Sequence, residues 1–169
     1  TDTNTAAIGR SGAGSTTSGI VMSGVADPYP NHTSNVELWN GSSWTETTNS
    51  NYKHINANAT GTTNTDVLLS GGEDTAALAT TESWNGTAWT ELNDLGNARA
   101  FAYASGQGST SATLMASGGI DAPLATTATT VEWSFPGPTS SALVEGQMWF
   151  NTPASTLKVY GAAAGIPAG

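Results

Sequence analysis

Short apolar runs alternate along this chain with stretches of Gly, Ser, Thr and Asn, and three of the runs have the same character. They are Ile20-Val21-Met22, Val67-Leu68-Leu69 and Leu114-Met115-Ala116. Each runs into a Ser-Gly pair, Ser23-Gly24, Ser70-Gly71 and Ser117-Gly118, at intervals of 47 residues both times. Asp27, Asp74 and Asp121 follow at the same interval, and Trp39, Trp84 and Trp133 at intervals of 45 and 49. The loop between Gly and Trp therefore absorbs the changes in length. Asn4, Asn51 and Asn97 open the units, and Lys53 and Arg99 match one another in the second and third. A period of this length marks a repeat architecture, and apolar runs too short for helices read as strands.

Each unit resolves into four short pieces. An Ala-rich segment comes first, around Ala6–Gly9, Ile55–Ala59 and Phe101–Ala104. The apolar run follows, then an acidic loop and a Glu/Trp segment, and a second Trp segment closes the unit. Four strands in about 47 residues has the size and rhythm of a β-propeller blade. The expected fold is all-β: three four-stranded blades with a C-terminal β-hairpin. Repeat 1 covers 1–50, repeat 2 covers 51–96 and a truncated repeat 3 covers 97–135. Residues 136–144 form a linker, and 145–169 the hairpin and tail.

The Glu/Trp phrase occurs twice in full, as Glu37-Leu-Trp39-Asn40-Gly41-Ser-Ser-Trp44 and Glu82-Ser-Trp84-Asn85-Gly86-Thr-Ala-Trp89. Asn-Gly between two strand-like runs is a strong hairpin signal, since both residues accept the positive φ of a type I′ turn. With a loop of two or four residues, strand parity puts Glu37, Trp39 and Trp44 on one face, and Glu82, Trp84 and Trp89 likewise. The indoles are expected to pack between neighbouring blades, with stacking platforms for sugars as the sharper alternative. The glutamates, with Glu132 in the third unit, are expected to brace the blade junction by accepting indole or backbone N–H groups. The third unit departs from the phrase. After Val131-Glu132-Trp133 comes Ser134-Phe135-Pro136-Gly137-Pro138, and the two prolines forbid an ordinary central strand there.

An apolar run, then Gly71-Gly72 or Gly118-Gly119, then a later Trp resembles kelch-like repeats. The closer resemblance is to the Thr/Gly/Ala-rich, kelch-like virion proteins of marine tailed phages. Their units read T-A-R, then Gly, then Gly-Gly, then T-E-x-[Y/W]-N-G-x-x-W-T; Asn97-Ala98-Arg99, Gly118-Gly119 and Thr81 through Thr90 match that form. The stretch from Glu145 to Tyr160 resembles a hairpin found near the ends of phage fibre proteins, with strands at Gln147–Asn151 and Thr156–Tyr160. The resemblance implies a role on the virion surface, in a fibre, a tail appendage or a capsid decoration. Closed propellers need at least about four blades. Three units therefore imply an incomplete or oligomer-completed propeller whose partners are copies of itself and other virion proteins. Trp149, Phe150 and Tyr160, beside the break at Trp133–Pro136, are the expected subunit contacts.

Charge and chemistry narrow the picture further. Four Lys and Arg against thirteen Asp and Glu, for a net charge of −9, is a poor match for a nucleic-acid backbone or an anionic membrane surface. No apolar run is long enough for a transmembrane helix, so membrane insertion is not expected. With no Cys, the cysteine–tyrosine copper chemistry of kelch-like oxidases is excluded. The chain shows neither an initiator Met nor a signal-peptide h-region, as expected of a processed or partial chain. His32 and His54 lie outside any metal-ligand spacing and read as solvated residues. Asp27, Asp74 and Asp121 read as caps of their own turns; with Glu73 they are also the candidates for a Ca²⁺ site, which would need further oxygens to reach 6–8 ligands. No catalytic residue and no other cofactor is expected. The function expected is that of a non-enzymatic virion structural protein. The alternative is a carbohydrate-binding adhesin, at the virion, extracellular or cell surface, with a host glycan as partner.

Overall fold

A computed structural model of the chain describes residues 1–101, 103–104, 112–116, 118–120, 125–126, 128, 130–134, 148–151 and 156–159. Among these residues every regular element is a β-strand. The chain divides into two compact units, 1–134 and 135–169. In the second, β17 (Met148–Asn151) and β18 (Thr156–Val159) pair antiparallel, Met148 opposite Val159 and Asn151 opposite Thr156; this hairpin carries Trp149 and Phe150. Gln147 and Tyr160 lie outside the described residues.

The first unit begins with seven strands: β1 (Ala7–Ile8), β2 (Ser11–Ser15), β3 (Ser18–Met22), β4 (Val25–Ala26), β5 (Asn31–His32), β6 (Val36–Trp39) and β7 (Trp44–Glu46). Sheet 1 is an antiparallel meander in the order β2-β3-β6-β7, and β1-β4-β5 form a small side sheet. Sheet 2 repeats the meander with β8 (Asn58–Thr63), β9 (Asp66–Ser70), β10 (Thr81–Trp84) and β11 (Trp89–Glu91). Sheet 3 contains β12 (Tyr103–Ala104), β13 (Ala112–Ala116) and β16 (Thr130–Ser134), and β14 (Gly119–Ile120) pairs with β15 (Ala125–Thr126). Among the described residues the fold is thus all-β, with four antiparallel sheets of three or four strands and two two-stranded pairs. The opening strands of sheets 1 and 2 start later than expected, at Ser11 and Asn58, while Ala7–Ile8 joins the side sheet and Ile55 makes a single bridge to Glu73; in sheet 3, Tyr103–Ala104 falls within the expected segment.

Sheets 1 and 2 pack face to face through the alternation of their strands. Ile20, Met22, Val36, Leu38 and Ala13 share one face of sheet 1, since Ile20 stands opposite Leu38 and Ala13, and Met22 opposite Val36. They meet Val67, Leu69, Trp84, Trp89 and Ala59 on one face of sheet 2, forming the apolar core. Trp84 keeps only 1% of its surface and Trp89 9%. Polar contacts stitch the rim of this junction. Trp89 Nε1 donates to Thr48 O at 3.1 Å, Asn64 Nδ2 to Trp39 O at 2.9 Å and Ser11 Oγ to Ala57 O at 2.8 Å.

A β-bulge corrects the 47-residue register. In β8, Thr60 pairs with Leu68 and Thr63 with Asp66, so Gly61 and Thr62 together face Val67. Beyond the bulge, Val67 stands opposite Trp84 and Leu69 opposite Glu82, whereas in sheet 1 Gly19 stands opposite Trp39 and Val21 opposite Glu37. Ser23-Gly24, rather than Gly24-Val25, is therefore the counterpart of Gly71-Gly72. The backbone agrees, with φ of 57° and 107° at Ser23 and Gly24 against 65° and 89° at Gly71 and Gly72. A side chain at Gly72 would meet Ile55 O at 2.7 Å and Ala57 Cβ at 2.8 Å, so this close approach requires glycine.

Sheet 3 corrects the place of Trp133. Glu132 and Trp133 occupy consecutive positions of an unbroken strand, opposite Leu114 and Thr113. In the other sheets one residue separates Glu from Trp. Trp133 therefore holds the register position of Leu38 and Ser83, on the opposite face from Trp39 and Trp84, and Ser134 holds the Trp position.

The packing predicts unequal costs for removing indoles that sit in equivalent hairpins. Trp84→Ala opens a cavity in the filled junction and should cost about 3–5 kcal/mol. Trp44→Ala, on the half-exposed face of sheet 1, should cost less than half of that. Urea denaturation of the two variants checks this; equal losses would contradict the assigned packing.

Candidate functional site

The recurring glutamates are the most completely buried charged groups here, with Glu37 and Glu82 both at 0% exposure. Each points from its sheet to the segment that precedes that sheet in the chain. Glu37 Oε2 accepts the Asn4 N–H at 2.6 Å, and Oε1 accepts the Thr5 N–H at 3.0 Å and Arg10 Nη1 at 2.9 Å. Glu82 Oε1 accepts the Asn51 N–H at 3.0 Å and that residue's side-chain amide. Its Oε2 accepts the Tyr52 N–H at 3.3 Å and His54 Nε2 at 3.0 Å. Asn4-Thr5 and Asn51-Tyr52 are equivalent positions, so the same clamp is built twice. Burial works against the charge of both carboxylates, and their hydrogen bonds outweigh it. Arg10 and the Asn4 and Thr5 amides hold Glu37 below the ordinary value of 4.5, and His54 with the Asn51 and Tyr52 amides does so for Glu82.

His54 corrects the reading of a solvated histidine. Its side chain is fully buried, with Nδ1 2.6 Å from Gly71 O and Nε2 on Glu82. Both ring nitrogens face acceptors, Gly71 O and the Glu82 carboxylate. The repeat also places a basic side chain differently from the spacing in the sequence. Gly9, Asn56 and Phe101 have φ of 65°, 52° and 52° and occupy one equivalent position. Two residues earlier stand His54 and the buried Arg99, while Lys53 is exposed. Arg99 therefore matches His54, not Lys53.

The indole N–H groups go to carbonyls rather than to the glutamates: Trp39 Nε1 to Thr16 O at 2.8 Å and Trp84 Nε1 to Asn64 O at 2.9 Å. The rings of each hairpin lie at the same spacing, with centroids 5.3 Å apart for Trp39–Trp44 and for Trp84–Trp89. The Asn-Gly loops have four residues and are not type I′ turns. Positive φ belongs to Gly41 (95°) and Gly86 (93°), not to Asn40 and Asn85. Asn40 Oδ1 instead accepts the Ser42 and Ser43 N–H groups at 2.9 and 3.0 Å, and Asn85 Oδ1 those of Thr87 and Ala88, both at 2.9 Å. The asparagine caps the loop and the glycine turns it.

The remaining acids are separated. Asp74 Oδ1 lies 2.6 Å from His32 Nδ1, a pair between consecutive repeats that replaces the expected cap of its own turn and the expected solvation of His32. Glu73 Oε1 accepts Asn56 Nδ2 at 3.0 Å. Asp27 lies at the rim of an open hollow of about 460 Å³ lined by Thr3, Ala7, Ile8, Val25 and Tyr29. Among the described residues no three His, Asp or Glu side chains come together around a cation site. Asp121 lies outside the described residues. Gly118 has a φ of 113°, and Gly119 exchanges backbone hydrogen bonds with Ala100, donating at 2.7 Å and accepting at 2.9 Å.

Sequence reasoning found the glutamates through their recurrence but missed Arg10, His32 and His54, which do not recur in register. The recurring acids are spent on holding segments of the chain together. The chain matches no protein-family model and no curated protein.

Two measurements follow from the clamps. The unfolded chain binds more protons than the folded one below about pH 4.5, so stability is retained above that value and lost as pH falls through the lowered pKa values. Urea midpoints between about pH 7 and about pH 3 should fall in that window, and Glu37→Gln with Glu82→Gln should flatten the fall; an unchanged fall would assign the acid sensitivity to other groups. The equivalence of Arg99 with His54 also predicts that Arg99 serves Glu132 as His54 serves Glu82. A double-mutant cycle of Arg99→Ala and Glu132→Ala should show coupling of roughly 1–3 kcal/mol, and additivity would separate the two.

Proposed function

We propose that this chain is a non-enzymatic structural protein of a tailed-phage virion, built from kelch-like blades of an incomplete or oligomer-completed propeller and displayed on the particle surface. The observation that supports this reading best is the repeated Glu clamp: conspicuous chemistry in the repeat serves to join segments, as suits a scaffold made of copies of one unit. The acidic, Thr-rich composition and the phage-like phrases Thr81 through Thr90 and Glu145 to Tyr160 point the same way. The test is mass spectrometry of density-purified phage particles from the source of the sequence. Peptides of this chain should band with the particles at the abundance of a structural protein. Recovery only with host cells or free protein would overturn the reading.

A second reading, a glycan-binding adhesin, is favoured by one observation: Trp39 and Trp44 are only half-buried beside an open hollow. Burial of Trp84 and Trp89 removes the second hairpin from that role. A glycan-array signal lost in Trp44→Ala would favour this reading.

A further inference from the structure

The packing of sheet 1 against sheet 2 shows what an indole face of this repeat receives. In sheet 2, Trp84 and Trp89 are covered by Ile20, Met22 and Val36 of the preceding sheet. Sheet 1 carries the same indole pair at the same 5.3 Å centroid spacing, tilted by 42° where the covered pair is tilted by 38°. There the pair opens on a hollow of about 400 Å³, lined with Gly12, Gly14, Gly19 and Val21. The three glycines leave the space into which side chains of a covering sheet would project. The pair has nearly the same geometry in both sheets; opposite its first indole sheet 1 has Gly19 where sheet 2 has Val67, and the cover differs.

The backbone shows the same polarity. The N–H of Asn56 donates to Gly9 O at 2.9 Å, and the N–H of Phe101 donates to Asn56 O at 3.2 Å. These three equivalent left-handed residues form a ladder in which each repeat donates to the one before it. Among the described residues the Gly9 N–H has no backbone acceptor. The uncovered indole face belongs to the first repeat. In the third, Trp133 stands at the register position of Leu38, a residue of the covering face.

We infer that the uncovered face of sheet 1 is a head-to-tail docking surface for the third-repeat end of a second copy of this chain, continuing between chains the packing seen between sheets 1 and 2. The inference rests on the self-association part of the proposed function and is independent of the virion assignment. The interface is heterologous, so its two halves can be disabled separately.

The test uses the whole chain in sedimentation experiments across a range of concentrations. Wild type should exceed the 17.1 kDa chain mass in a concentration-dependent way. Trp44→Lys at the head and Trp133→Lys at the tail should each sediment as single chains. Their mixture should regain a two-chain species, since one variant keeps an intact tail and the other an intact head. A monomeric wild type, a variant that assembles like wild type, or a mixture that stays monomeric overturns the inference. If a variant does not fold, hydrogen exchange of wild type at low and high concentration decides. Added protection of the amides in 9–22 and 36–46 supports the surface, and protection elsewhere alone overturns it. Failure of the virion test would leave these outcomes unchanged.

Discussion

A carboxylate with no exposure to water, holding two successive backbone N–H groups of a segment thirty or more residues earlier, is the contact on which this fold depends. The segment Asn4-Thr5 has no strand of its own, and neither has Asn51-Tyr52. Their amides would stay in water unless something in the sheet accepted them. Glu37 and Glu82 do so at an energetic cost of burial, which the amides and one basic side chain offset. The clamp sets where the chain enters each repeat, and so where β2 and β8 lie. Arg10 and His54 supply the basic side chain from different repeat positions.

The second constraint is the mating of unlike faces. One face of the repeat is aliphatic, as with Ile20, Met22 and Val36, and the other carries the indoles, as with Trp84 and Trp89. Each sheet can thus cover its successor and be covered by its predecessor. The loops reinforce this order: Asn64 in the β8–β9 turn reaches back to Trp39 O, and Thr48 beyond β7 reaches forward to the Trp89 indole. An arrangement with such polarity favours propagation or ring closure over two-fold pairing. It is consistent with a building block of a larger assembly.

Much of this was legible in the chain. The repeat, the strand content, the hairpins and the presence of the glutamates on the indole face follow from period and parity, which are properties of local sequence. The register was not. One extra residue at Gly61-Thr62 sits within a stretch of Gly, Thr and Asn where no apolar pattern marks a bulge, and it shifts every facing pair in sheet 2. The same shift explains how Ser23 takes a left-handed conformation where sheet 2 has Gly71. His54 was misread because burial of a histidine depends on its acceptors, here Gly71 O and Glu82, which are distant in sequence. In sheet 3 the contraction of Glu-x-Trp to Glu132-Trp133 was visible in the sequence, and strand alternation is enough to move Trp133 to the other face.

The buried glutamates hold the entry segments to the sheets. Residue-resolved native-state hydrogen exchange of the Asn4, Thr5, Asn51 and Tyr52 amides tests this most directly. These four lie in no strand, so their protection would come from the carboxylates alone. They should exchange as slowly as amides in the middle of β3 and β9, and Glu82→Gln should release Asn51 and Tyr52 while leaving Asn4 and Thr5 protected. Free exchange of all four in the wild-type protein, with the sheets still protected, would contradict the account.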